Sequence, residues 1–122
     1  MRVLVPHHFP LPVSGSGIYV DNIATRLVAL GHEVEVLCPF HYLNGPRDFR
    51  TVAFEFPDAD GQDIEMTFDS GAACSTHPVF RFDQLSNSML VRYVNTWNRL
   101  IQDRCEKFAP DIIHCQHVWV TA

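Results

Sequence analysis

The sequence predicts an α/β fold: a Rossmann-like parallel sheet with flanking helices and an inserted β-hairpin, incomplete at the C-terminus. Three observations predict it. A short apolar run at Arg2–Val5 is followed by a small-residue loop, an amphipathic segment and a glycine stop at Gly31. The apolar period then shortens to that of a strand over Glu33–Leu37. A second long helical stripe, from Asp83 to Phe108, leads into an apolar segment opening at Asp111. Right-handed crossovers turn the order strand, helix, strand, insertion, helix, strand into one parallel sheet.

Each element has its own warrant. Pro6 ends the first strand because it cannot donate to a central ladder. The loop from Pro6 to Ser14 or Ser16 carries three prolines and two adjacent histidines, so it is extended. From Gly17 onward Ile18, Tyr19, Ile23, Leu27, Val28 and Leu30 recur near helical spacing, with Ser16 as the expected N-cap. Gly31 supplies the left-handed residue past the helix end. Glu33–Leu37 alternates charge with valine and becomes continuous at Val36–Cys38, as a strand covered on at least one face does. Residues 39–76 form an irregular insertion. There Arg50–Phe56 and Ile64–Phe68 flank a turn-rich stretch and read as a hairpin or two short strands. Leu90, Tyr93, Val94, Trp97, Leu100, Ile101, Cys105 and Phe108 make one apolar stripe, capped by Asp83 or Ser86 and ended by Pro110. The segment from Asp111 to Trp119 then reads as a buried strand running into a loop.

Composition narrows the function classes. The 122 residues suit one domain, read as spanning residues 1–122, and are few for a complete α/β enzyme. A net charge of −5 and scattered basic residues give no footprint for nucleic acid or an anionic membrane. The opening apolar run is too short for a signal sequence or an integral membrane span, so a cytoplasmic location is the default. The four cysteines include no C-x-x-C pair and are expected to be reduced. Cys38, Cys105 and Cys115 read as small buried hydrophobes, while Cys74 lies in an irregular stretch.

Gly15-Ser16-Gly17 is the first site candidate. A helix N-terminus at the ligand edge of a parallel sheet can hold an anion through backbone N–H groups and the helix dipole. The plainer alternative is that the glycines only permit a tight loop. A dinucleotide fingerprint requires a third glycine where Val20 stands, and the loop from Val5 to Gly15 is too long for one. NAD or flavin binding is therefore disfavoured.

Taken with the later motifs, this stretch becomes specific. A short strand, a Pro-rich loop, a small-residue pair, Tyr19-Val20, Ile23-Ala24, a leucine and Gly31-His-Glu-Val34 occur in that order. Thr76-His-Pro-Val-Phe80, Phe82-Asp-Gln-Leu85 and Pro110-Asp-Ile-Ile-His-Cys-Gln-His-Val-Trp119 follow. Together they resemble the N-terminal domain of family 4 glycosyltransferases, retaining enzymes of GT-B architecture. The resemblance covers both ends of the chain and little of residues 39–73. The family's Gly-Gly loop falls on Ser14 and Gly15, so the first glycine is replaced and Gly17 restores freedom nearby.

The resemblance implies an N-terminal domain that holds a small-molecule or glycan acceptor. A second domain, not contained in this sequence, would hold a nucleotide-sugar donor as co-substrate, with no other cofactor and no metal. This chain alone would then be inactive. His117 lies where α/β strands end, and by resemblance it would act catalytically on the acceptor hydroxyl or the developing charge. His114 inside the strand is a substrate-binding candidate or a satisfied core histidine. His77 lines the acceptor pocket or caps the turn set by Pro78. A metal site built from His7, His8, His77, His114 and His117 is disfavoured, because residues three apart on a strand face opposite sides. The rival reading is a non-catalytic binding or assembly module with a truncated Rossmann core. It would self-associate as a homo-oligomer or dock a separate donor-domain chain.

Overall fold

The structure, a computed structural model, describes residues 1–8, 11, 15–39, 46–54, 65–67, 79–81 and 85–116. Four strands make a parallel sheet: β1 (Arg2–Pro6), β2 (Glu33–Pro39), β3 (Arg50–Phe54) and, late in the chain, β6 (Ile112–Ile113). Their order is β3-β2-β1-β6, so the first strand sits inside the sheet and the last at its edge. Helices α1 (Gly15–Ala29) and α2 (Asn87–Phe108) flank it. The α/β class and the parallel, Rossmann-like sheet agree with the sequence.

Alternation along the strands sends side chains to two separate cores. Val3, Val5, Val34, Val36 and Cys38 pack with Val20 and Ala24 of α1 and with Leu11 and Phe49. Leu4 and Leu37 point the other way and pack with Tyr93, Trp97 and Phe108 of α2. The sheet is thus covered on both sides, which explains the near-continuous apolar runs at Val3–Val5 and Val36–Cys38. Burying Leu4 and Leu37 completely stabilises the fold by roughly 1.5–3 kcal/mol each. Phe54 meets the Trp97 ring edge-on, with centroids 4.7 Å apart.

Helix α1 departs from the expected register. It begins at Gly15, so Ser16 lies inside the first turn and is not the N-cap. Its core stripe is Gly17, Val20 and Ala24, continued by Leu27 and Val28. Ile18 and Tyr19 are half exposed and Leu30 is 73% exposed. Small residues win the sheet-facing positions because they let the helix lie close to a valine-covered sheet. Gly31 has φ +83°, as its role as helix stop requires.

Helix α2 follows the sequence more closely. Ser86 is the N-cap and its hydroxyl accepts from Met89 N–H. Ala109 closes the helix in the left-handed region, its N–H bonded to the Cys105 carbonyl. Tyr93, Trp97 and Phe108 are buried as expected, whereas Leu90 turns outward and Arg104 takes a core position.

The insertion resolves into short strands rather than a hairpin. β3 pairs in parallel with β2, from Glu35 opposite Arg50 to Pro39 opposite Phe54. β4 (Glu65–Thr67) pairs in parallel with β5 (Val79–Arg81) in a separate two-stranded sheet. Pairing with β2 places Val52 and Phe54 against the α2-side core.

The last strand is also corrected. β6 holds only Ile112 and Ile113, exposed by 45% and 40%. Among the described residues it pairs with β1 alone. Cys115 beyond it is exposed rather than core, Cys105 is half-buried, and Cys38 is buried as expected. No helix among the described residues is long and apolar enough to cross a membrane.

Candidate functional site

Because all four strands of the main sheet are parallel, their C-terminal ends share one edge. The crossover from β1 to β2 brings the N-terminus of α1 to that same edge. This is where open α/β sheets bind ligands.

At the tip of β1 stand His7 and His8, both fully buried, with ring centroids 5.7 Å apart. The His7 N–H bonds to the Leu37 carbonyl at 2.8 Å and extends the β1–β2 ladder by one rung. Sequence reading treats these residues only as rejected metal ligands. Their place directly after the first strand is the signal that puts them at the ligand edge.

Gly15, Ser16 and Gly17 form the first turn of α1. Gly15 is exposed, and a Cβ added there meets nothing within 4 Å. Neither Gly15 nor Gly17 has positive φ, so backbone conformation does not demand glycine at either place. The first turn carries no acidic residue of its own.

Cys38 lies near the C-terminal end of β2. Burial pushes its thiol up to about 12, against weaker opposing effects of a backbone hydrogen bond with Leu11 and the charge of Arg47. A thiol so protonated is no nucleophile. Arg47 itself reaches back from the segment before β3 to α1, its Nε 2.5 Å from Asp21 Oδ1. Its guanidinium lies 5.9 Å from the Phe49 ring centroid.

His114 follows β6 directly. Its N–H bonds to the Leu4 carbonyl at 2.8 Å, which continues the β1–β6 pairing past the strand end. Its ring is half-buried and Nε2 lies 2.6 Å from Gln116 Nε2. With the Gln116 amide as donor, the imidazole accepts at Nε2 and keeps its proton on Nδ1. The structure therefore gathers Gly15, Ser16, Gly17 and His114 on one sheet edge, together with His7 and His8. His77 and His117 lie outside the described residues.

A further cleft lies at the opposite edge. A cleft of about 490 Å³ is lined by Gly31, His32, Glu33, Arg50 and Phe108, at the N-terminal ends of β2 and β3. Both helices end near it, so their dipoles oppose an anionic ligand there. The chemistry of the opposite edge outweighs this cleft. Among the described residues no group of three or more His, Cys, Asp or Glu side chains could hold a metal ion.

A family model described as glycosyl transferase 4-like domain matches residues 14–122, from the start of α1 through β6 and beyond. No curated protein and no solved structure matches the chain.

Proposed function

Since the chain belongs to the glycosyl transferase 4-like domain family, we propose that it forms the acceptor-side wall of a GT-B cleft. The parent reaction moves a sugar from a nucleotide-sugar to a hydroxyl of a small-molecule or glycan acceptor, with retention of configuration. The observation that carries this reading is the first turn of α1. This glycine-bearing turn, with space beside Gly15 and no acidic residue of its own, sits at the C-terminal edge of a parallel sheet. Gly15, Ser16 and Gly17 border the bound substrate, and His114 and His77 line the acceptor pocket. His117 acts on the acceptor hydroxyl or on charge developing in the transition state.

A donor-binding domain faces this one in the working enzyme, and the 122 residues by themselves do not transfer sugar. The leaving diphosphate needs several fixed positive partners, more than this edge supplies. A cytoplasmic enzyme with no cofactor beyond its nucleotide-sugar fits this reading. The test is His117→Ala in the enzyme that carries this domain. Transfer should fall by two orders of magnitude or more while the thermal midpoint holds. Unchanged turnover would remove His117 from the mechanism.

One observation favours a second reading. The exposed pair Ile112–Ile113 on an edge strand suits assembly with another chain. Light scattering on the purified 122-residue chain discriminates: a concentration-independent monomer with no partner disposes of homo-oligomeric assembly.

A further inference from the structure

Gln116 stands beside the candidate site, and the transfer reading gives it no part. Ile113 and Cys115 line a groove with Asn98, Ile101 and Gln102 of α2. Strand alternation continues past β6 through the bond from the His114 N–H to the Leu4 carbonyl. It turns the His114 ring to the opposite face of the sheet, the one α1 covers. Gln116, two residues on, shares that face and sets its amide against the ring. The contact joins two nitrogens, Gln116 Nε2 and His114 Nε2, 2.6 Å apart. An amide nitrogen can only donate, so the ring nitrogen must accept with its lone pair. Nε2 is thereby occupied, and the neutral ring carries its proton on Nδ1. Among the described residues no group takes that proton, and Nδ1 is not one of the buried side-chain atoms left without a partner.

We propose that Gln116 is a positioning residue that holds His114 in the Nδ1–H tautomer, so that His114 meets substrate as a hydrogen-bond donor and not as a base. This role rests on the transfer reading, in which His114 lines the acceptor pocket. It also specifies the group that the ring takes. A hydroxyl, carbonyl or carboxylate oxygen offers a lone pair to Nδ1–H, whereas an ammonium group has none to offer. Removal of a hydroxyl proton falls to another group.

Long-range proton–nitrogen NMR of the 122-residue chain reads the tautomer directly, at about pH 8, where histidine is ordinarily neutral. The His114 signals are picked out from those of the seven histidines by their loss in His114→Gln. The wild type should show a protonated Nδ1 and a lone pair on Nε2. Gln116→Glu, whose carboxylate only accepts, should move the proton to Nε2. Gln116→Met should let the ring relax toward Nε2–H, the form that free histidine favours in water. A wild-type Nε2–H form, or an Nδ1–H form that persists in both variants, overturns the proposal. If neither variant folds, the wild-type tautomer decides. In the enzyme that carries this domain, the acceptor KM of Gln116→Met should rise by about three- to tenfold, as loss of one aligned hydrogen bond would cause. Unchanged kinetics there, with His114→Ala impaired, overturn the proposal and leave the pocket reading standing. Full activity in His114→Ala refutes the pocket reading instead, and with it the donor role, whatever tautomer the ring adopts.

Discussion

Glu35 and Arg104 form a two-pronged ion pair in the α2-side core, with Nε 2.5 Å from Oε1 and Nη2 3.0 Å from Oε2. Arg50, on the neighbouring strand and in register with Glu35, adds a third contact at 3.5 Å. Bonding to Glu35 raises Arg104 above the usual arginine range despite the opposing effect of burial. Arg104→Met should destabilise the chain by about 3–5 kcal/mol, because a carboxylate is left in the core with only a long contact to Arg50. The double change Glu35→Leu with Arg104→Met should recover most of that loss. Urea unfolding of the two singles and the double gives the coupling directly.

Cys38 predicts an alkaline limit to stability. Its folded thiol is raised to about 12 from an ordinary value of 9.0. The folded state therefore keeps a proton that the unfolded state releases first. The sign follows: the contribution is fully present below pH 9 and is lost as pH rises toward 12. Three pH units at about 1.4 kcal/mol each set an upper bound of about 4 kcal/mol. Cys38→Ala should flatten this part of the stability curve, though Tyr93, also raised by burial, keeps a residual slope. A curve unchanged by Cys38→Ala would refute the assignment.

Thiol exposure orders alkylation. Cys115 is exposed, Cys105 half-buried and Cys38 enclosed. Of these three, Cys115 should be labelled first by iodoacetamide on the folded chain and Cys38 only after denaturant is added; Cys74 lies outside the described residues. Peptide mass spectrometry reads the order, and early labelling of Cys38 would contradict the fold.

Gly15 and Gly31 should respond oppositely to alanine. Gly15→Ala meets open space at ordinary φ and should leave stability unchanged or raise it by about 0.5–1 kcal/mol. Gly31→Ala also meets open space, but φ +83° strains any side chain, and the cost should be about 1 kcal/mol. If Gly15 lies against substrate, transfer by the enzyme carrying Gly15→Ala falls while its melting temperature does not. Loss of both together would make Gly15 structural.

Ser86→Ala should cost about 1 kcal/mol, since the hydroxyl holds the Met89 N–H at the start of α2. Ser86→Asp should restore it, because aspartate both caps and suits the positive helix end.

Much of this fold is legible in the residues, for identifiable reasons. Gly31, Ser86 and the stripe Tyr93, Trp97 and Phe108 each depend on local geometry, which sequence spacing records. What spacing cannot record is pairing at a distance. Glu35 reads as the solvent side of an alternating strand until Arg104, 69 residues away, neutralises it in the core. β3 reads as half of a hairpin because its true neighbour, β2, is read as an earlier, separate element. The outward turn of Ile18 and Tyr19 follows from small residues claiming the sheet face, which hydrophobicity alone ranks last. At the site, the glycine turn and His114 were legible from their places after strands.

The sheet order also sets when the molecule can finish folding. β1 lies between β2 and β6, so the first strand made has one neighbour from early in the chain and one from near residue 112. The clasp is reinforced outside the ladder: Arg2 N–H meets Asp111 Oδ2 at 2.7 Å across a separation of 109 residues, and Arg2 Nη1 meets the Phe108 carbonyl at 3.1 Å. During synthesis β1, α1 and β2 can collapse together while one edge of β1 stays open. That edge closes only after α2 and β6 have emerged, at the entropic cost of closing a very long loop. Closing the β1–β6 edge is then a late step of folding, and a nascent chain stopped before Ile112 would leave an unpaired strand edge for other chains to find.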